Sequence, residues 1–179
     1  NCDEAYISLK EALIHAGVAH DHRAEVKWIN AQDLEGIKSK AFIQSQFEGL
    51  DGIVVPGGFD SRGVEGKIAA IRYARENNVP FLGLCLGLQC AIIEFARNVC
   101  GLKNANSYEF SKKTEYPVIN FVEGQKGLTK KSGTMRLGSY DCKIAENSIA
   151  YILYGGDECS ERHRHRYEVN EEYVKVIED

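Results

Sequence analysis

The sequence lacks any apolar run of the roughly 20 residues that a membrane-spanning helix needs. Its N-terminus also lacks the basic segment followed by an apolar segment that is typical of a secretory signal peptide. Both absences argue against a membrane protein or an exported one. We therefore expect a cytoplasmic protein with no membrane partner.

An excess of positive charge is also lacking. The 22 Lys and Arg residues are outnumbered by 26 Asp and Glu residues, which gives a formal net charge of -4. A surface that attracts nucleic acid or an anionic membrane needs the opposite balance. The composition favours small molecules and proteins as partners and predicts no binding to nucleic acid.

No C-x-x-C pair occurs among the six cysteines. Such pairs are typical of zinc sites and of dithiol redox motifs. We therefore expect no metal site in this chain. The cysteines are predicted to be free thiols, and one of them, Cys85, occupies a special position.

Apolar patterns typical of helices and of strands alternate along the chain, and 44% hydrophobic residues in 179 are enough for one core. We expect a single domain, 1–179, in which strands alternate with crossover helices to form a parallel sheet covered on both faces. Helices are predicted at 3–16 (ending at Gly17), 39–47, 64–76 and 86–99. Strands are predicted at 24–29, at 52–56, immediately before Cys85, at 116–122 and at 135–144, the last two separated by a Lys- and Gly-rich loop at 123–133.

Cys85 lies in a Gly83-x-Cys85-x-Gly87 segment that joins an apolar strand to an apolar helix. A nucleophile on so sharp a turn has strained backbone, and glycines on either side remove side chains that would collide there. The helix N-terminus supplies unpaired N–H groups and a dipole that stabilise a thiolate. The pattern predicts a reactive thiol rather than an ordinary buried cysteine.

Pro56-Gly57-Gly58 follows another apolar strand directly. Consecutive glycines let a backbone N–H approach a ligand with no side chain in the way. With parallel strands, this turn and Cys85 meet at the same edge of the sheet. The N–H groups of Gly58 and Leu86 could then form an oxyanion hole, which predicts acyl transfer.

These two motifs together resemble the class I glutamine amidotransferases, and further segments narrow the resemblance to the glutaminase domains of CTP synthases. The segments are Gly63-Val-Glu-Gly-Lys67, Asn104-Ala-Asn-Ser-Tyr-Glu-Phe110 and Glu161-Arg-His-Arg-His-Arg-Tyr-Glu-Val-Asn170. The resemblance covers nearly the whole chain. It implies a flavodoxin-like, doubly wound, mostly parallel sheet with flanking helices and an additional small antiparallel strand region.

The resemblance implies hydrolysis of L-glutamine to glutamate and ammonia through a thioester on Cys85. Gly58 and Leu86 would donate to the oxyanion, and the family positions that bind glutamine correspond to Gln89, Glu109 and Arg166. A carboxylate and a guanidinium suit the ammonium and carboxylate of a free amino acid. Phe59 and Arg62 lie in a loop that the family associates with activation by GTP.

The resemblance also implies partners outside this sequence. Ammonia would pass to a synthetase domain that uses ATP and Mg to convert UTP to CTP, and the full-length enzyme would be a homotetramer. No cofactor is expected in this domain itself.

The sequence departs from the family pattern in three places. Asp60 stands where the family usually has glycine, which adds a negative charge beside the glycine turn. The family's general base is a histidine supported by a glutamate in an H-P-E motif after R-H-R-H-R, and the 179 residues contain none. A strand before the first helix is missing as well. We expect that the sequence omits parts of the polypeptide at both ends, with the synthetase domain absent, and that these residues alone do not turn over glutamine efficiently.

Two other classes of function stay open. The first is a catalytically inactive amidotransferase-like module that binds a partner or glutamine. The second is another cysteine hydrolase, such as a peptidase or a γ-glutamyl hydrolase. His163 and His165 alternate with arginines, so on a strand the two histidines would share one face. Structural hydrogen bonding is favoured for them over metal binding, because the arginines oppose a cation.

Overall fold

A computed structural model describes residues 2–36, 38–59, 61–121 and 135–179 of the chain. Asp60 and the predicted loop 123–133 lie outside the described residues. The chain divides into two compact units, Asn1–Ala105 and Asn106–Asp179. The first contains α1 (Cys2–Ala5), α2 (Ile7–Ala19), a 3-10 turn (Ala31–Leu34), α3 (Lys40–Phe47), β1 (Ile53–Val55), α4 (Val64–Glu76), β2 (Phe81–Gly83) and α5 (Leu86–Asn98). The remaining elements are β3 (Ala105–Ser107) at the boundary, then β4 (Tyr116–Phe121), β5 (Arg136–Lys143), α6 (Ile149–Tyr154), β6 (Glu158–His165), β7 (Tyr167–Val169) and α7 (Glu171–Glu178).

The core of the first unit forms around the parallel pair β1 and β2, in which Ile53 lies opposite Phe81 and Val55 opposite Gly83. α4 and α5 contact this pair and each other. Their apolar residues recur at helical spacing, so one face of each helix is buried. The buried residues of these helices include Val64, Ile68, Ile71, Ala74, Leu86, Cys90, Ile93 and Ala96.

An ion pair between a buried carboxylate and a partly exposed arginine joins α4 to α5. Glu94 is 1% exposed, and its carboxylate accepts from Arg75 Nη2 at 2.8 Å and from Arg75 Nε at 3.0 Å. The Asn98 side chain donates to the same carboxylate at 3.0 Å. These hydrogen bonds compensate the loss of hydration that burial imposes on the charge.

Replacing Arg75 by methionine should destabilise the protein, because it leaves the Glu94 carboxylate buried without its cation. We expect the free energy of unfolding to fall by about 3 kcal/mol in urea titrations. The matched control is Arg72→Met, which removes the surface pair of Arg72 with Glu76 (2.7 Å) and should cost less than about 1 kcal/mol. Equal losses in the two variants would contradict a special role for the pair that contains the buried Glu94.

The second unit contains two antiparallel strand pairs, β4 with β7 and β5 with β6. A sheet has the order β3-β4-β7, with Ile119 opposite Val169 and Phe121 opposite Tyr167. β5 and β6 form a separate two-stranded ribbon, in which Arg136 lies opposite His165. The strands predicted at 116–122 and 135–144 correspond to β4 and β5, although Val122 lies outside the described residues.

Two predicted elements differ from the structure. The helix predicted at 3–16 is broken at Tyr6 (φ -121°, ψ 30°) and continues beyond Gly17 to Ala19. Gly17 does not stop the helix: the chain folds back against it, His22 N–H donates to its carbonyl at 2.8 Å, and a methyl there would lie 2.8 Å from His22 O. Gly17 therefore allows two backbone segments to approach each other closely, and it does not cap the helix.

The strand predicted at 24–29 is absent from the structure. β1 and β2 pair in parallel, and residues 24–29 do not extend their sheet. An apolar extended segment becomes a strand only when its backbone hydrogen-bonds to a neighbouring strand.

No helix in the described ranges has the length and apolar character that crossing a bilayer requires.

Candidate active site

Cys85 lies between β2 and α5 and is exposed, with φ 51° and ψ -107°. A positive φ is uncommon for a residue with a side chain and costs on the order of 1–3 kcal/mol. α5 begins at the next residue, and Gln89 N–H donates to Cys85 O at 3.1 Å. The strained turn predicted from the sequence is therefore present, with the thiol at a helix N-terminus.

The two glycines of the elbow allow close approaches of backbone. A methyl group on Gly83 would lie 2.7 Å from Leu88 N, within the first turn of α5. A methyl on Gly87 would lie 2.0 Å from Val55 O, at the end of β1. Gly83 thus lets the helix begin directly after the strand, and Gly87 lets the helix pack on the neighbouring strand.

The Gly57-Gly58 turn lies against Cys85. A methyl on Gly57 would be 3.3 Å from Cys85 Cβ and 3.9 Å from its Sγ, and one on Gly58 would be 3.4 Å from Leu86 Cδ2. Leu84 N–H donates to Val55 O at 3.0 Å, which joins the ends of the two strands. The prediction that the glycine turn and the cysteine share one edge of the sheet agrees with these contacts, and the arrangement suits addition of a thiol to a carbonyl carbon.

Cys90, on the inner face of α5, is fully buried, and burial raises the pKa of its thiol to about 11. Burial also raises the pKa of the Cys100 thiol. Both groups stay protonated at neutral pH, and a protonated thiol is a poor nucleophile. Of these cysteines in the first unit, the exposed Cys85 is the one suited to react.

Three further predicted site residues belong to the first unit. Gln89 lies in α5 and is 8% exposed. Phe59 (64% exposed) and Arg62 (exposed) lie on either side of residue 60, before α4 begins.

Glu109 and Arg166 belong to the second unit. Glu109 lies in the turn after β3 and is exposed, and its N–H donates to Ser107 Oγ at 3.1 Å. Arg166 is half-buried at the bend between β6 and β7. Both charges act on the phenol of Tyr167: the pKa of Tyr167 is raised by burial and by Glu109, while Arg166 lowers it. Glu109 and Arg166 therefore both contribute to the electrostatic environment of Tyr167.

His163 and His165 lie on the same face of β6. His163 Nδ1 is 2.9 Å from His165 Nε2, and His165 Nδ1 is 3.0 Å from Tyr167 O. The Tyr167 carbonyl can only accept a hydrogen bond, so His165 Nδ1–H donates to it. His165 Nε2 then accepts from His163 Nδ1–H. Burial is the main cause that lowers the pKa of His165. In the described part of the chain, no group of three or more His, Cys, Asp or Glu side chains is placed to hold a metal ion.

Tyr6 contacts the glycine turn, and the sequence did not predict this contact. Its hydroxyl donates to Gly57 O at 3.1 Å, across 51 positions of the chain. An aromatic residue within an amphipathic helix pattern is ordinarily a packing residue. The pattern therefore gave no signal for this contact.

Comparison with known proteins gives one family match. The family described as glutamine amidotransferase class-I matches residues 2–178. Among solved structures, the glutaminase domain of Trypanosoma brucei CTPS with bound acivicin has a TM-score of 0.91 and 38% sequence identity, over 99% of this chain and 67% of that chain.

Curated relatives are longer proteins. The chain is 54% identical over 178 residues to the CTP synthase of Methanocaldococcus jannaschii, a match that covers 98% of this chain and 33% of the relative. It is 54% identical over 174 residues to the CTP synthase of Caldanaerobacter subterraneus subsp. tengcongensis, covering 97% of this chain and 32% of the relative. The chain thus spans about a third of the length of the curated relatives that it matches.

Proposed function

Because the chain belongs to the class I glutamine amidotransferases, we propose that it is the glutaminase domain of a CTP synthase and hydrolyses L-glutamine to glutamate and ammonia. The observation that carries the proposal is the exposed Cys85 thiol on a strained turn, in contact with Gly57-Gly58. Both halves of an acyl-transfer site, a nucleophile and a pair of backbone donors, are supplied by neighbouring strand ends.

In the proposed reaction, the Cys85 thiolate adds to the side-chain amide carbon of glutamine. The carbonyl oxygen takes up the negative charge and accepts from the N–H groups of Gly58 and Leu86. Collapse of this intermediate expels ammonia and leaves a thioester, and water then releases glutamate and the thiol. The reaction needs a general base for the thiol proton, and we assign that role to none of the five histidines in the sequence.

We propose that Glu109 binds the substrate's ammonium, that Arg166 binds its carboxylate, and that Gln89 also binds glutamine. A ligand with two opposite charges is held best by two side chains of opposite charge, because each pair excludes analogues that lack one charge.

For the whole enzyme, we propose that the ammonia is used by a synthetase domain of the same polypeptide. That domain would use ATP and Mg to aminate UTP to CTP, in a cytoplasmic homotetramer. GTP is the proposed activator, and the exposed Phe59 and Arg62 are the residues proposed to respond to it.

The test is to treat the purified gene product that contains these residues with acivicin or 6-diazo-5-oxonorleucine, which are electrophiles that mimic glutamine. We expect one adduct per chain by intact-mass measurement, mapped to Cys85 by peptide sequencing and slowed by excess L-glutamine. Cys90 is the internal control, since its pKa of about 11 leaves it unreactive near neutral pH. An unmodified Cys85 would favour an inactive binding module, and modification that glutamine does not slow would favour another cysteine hydrolase.

A further inference from the structure

Tyr6 connects the N-terminal helices to the glycine turn. It lies between α1 and α2 in a non-helical conformation, and its ring stacks on Trp28 with centroids 6.1 Å apart. Its hydroxyl donates to Gly57 O at 3.1 Å. The ring is therefore positioned by packing, and the hydroxyl reaches the backbone beside Cys85.

The carbonyl that Tyr6 binds belongs to the same peptide group as the N–H of Gly58. In a trans peptide, the carbonyl and the N–H of the next residue point in opposite directions. A hydrogen bond that fixes the Gly57 carbonyl therefore also fixes the direction of the Gly58 N–H. That N–H is one of the two proposed oxyanion donors.

A Gly-Gly peptide needs such a constraint more than other peptides do. Glycine has access to both signs of φ, so the peptide plane between two glycines can rotate with little steric resistance. Packing limits the place of the turn, since a methyl on Gly58 would lie 3.4 Å from Leu86 Cδ2 and 3.7 Å from Lys67 Nζ. Packing around a residue without a side chain does not define the rotation of its peptide, whereas a hydrogen bond to the carbonyl does.

We propose that Tyr6 is a positioning residue for the oxyanion hole, a role that rests on the proposed glutaminase function. Its hydroxyl holds the Gly57-Gly58 peptide so that the Gly58 N–H keeps the direction in which it donates to the oxyanion. Tyr6 itself does not touch the substrate. The Gly58 N–H that Tyr6 positions stabilises the transition state more than the bound substrate, because the full negative charge develops on the oxygen only on addition of the thiol.

The test is Tyr6→Phe in the full-length gene product, which keeps the ring and its stacking on Trp28. We expect kcat for glutamine hydrolysis to fall about tenfold, the loss that one neutral hydrogen bond represents. KM for glutamine should stay within about twofold, because ground-state binding is unaffected. Glutamate γ-semialdehyde, whose thiohemiacetal with Cys85 mimics the charged intermediate, should bind more weakly by the same factor as kcat falls.

Tyr73→Phe is the matched control, since it removes a hydroxyl from another ring of the first unit, one that stacks on Phe47 at 4.9 Å. It should leave kcat and the aldehyde affinity unchanged. An unchanged or increased kcat in Tyr6→Phe would overturn the proposal, and so would a rise in KM with kcat unchanged. Failure of the proposed function is distinguishable, because the unmodified protein would then hydrolyse no glutamine and bind no aldehyde.

Discussion

Replacing Cys85 by alanine is expected to abolish glutamine hydrolysis, with kcat falling by roughly 10⁴- to 10⁶-fold. Without the sulfur, no thioester forms, and the exposed position at the elbow offers no other nucleophile in its place. The measurement is release of glutamate from L-glutamine by the full-length protein. Alanine fits the same strained backbone as cysteine, so the melting temperature should change little.

Two controls make this result specific. Cys90→Ala removes a thiol from the same helix and should lower stability, because it leaves a small cavity, but it should retain glutamine hydrolysis. In the full-length protein, the proposed synthesis of CTP from externally added ammonia should survive in Cys85→Ala, since ammonia bypasses the missing step. Loss of both the glutamine-dependent and the ammonia-dependent reactions would mean that the substitution damages more than the nucleophile.

Replacing Gly87 by alanine is expected to impair both the fold and the reaction. The added methyl would lie 2.0 Å from Val55 O, which is backbone at the end of β1 and has little freedom to move. We expect the free energy of unfolding to fall by about 3 kcal/mol, which lowers the melting temperature by roughly 6–12 °C. Because α5 would have to shift, Cys85 and the Leu86 N–H would move together, and kcat should fall by about 10²-fold.

Leu88→Ala is the matched control for Gly87→Ala. Leu88 is the next residue of α5 and is 50% exposed, and alanine is a good helix former. This variant should keep its melting temperature within about 3 °C, since exposed substitutions usually cost little, and it should keep its kcat. If Gly87→Ala were as stable and as active as Leu88→Ala, close packing of α5 on β1 would not be the reason for a glycine at position 87.

The parts of the site that are local in sequence could be predicted. The elbow at Cys85 is a steric requirement within five consecutive residues, and the helix Val64–Glu76 follows from apolar spacing within one segment. The motifs around them led to the class I glutamine amidotransferase family and fold, and both are confirmed by the family match and the solved structure. Local patterns suffice here because the residues that create the constraint are neighbours in the chain.

The contacts between distant segments could not be predicted. Nothing near Tyr6 in sequence indicates that its hydroxyl binds Gly57, and nothing near Gly87 indicates that Val55 O excludes a side chain there. The same limit explains the strand wrongly predicted at 24–29, whose apolar pattern carries no information about a partner strand. α6 was missed as well, because its six residues, Ile149–Tyr154, are apolar or aromatic throughout and lack the alternation of apolar and polar residues that indicates a helix.

The burial of Cys90 also bears on how the elbow withstands oxidation. Peroxide converts an accessible thiolate to a sulfenic acid, which survives reversibly when a second thiol condenses with it to form a disulfide. Cys90 cannot act as that resolving thiol, because it is 0% exposed and its pKa of about 11 keeps it protonated. An oxidised Cys85 is therefore not rescued by a disulfide to Cys90, the other cysteine of this strand-helix segment.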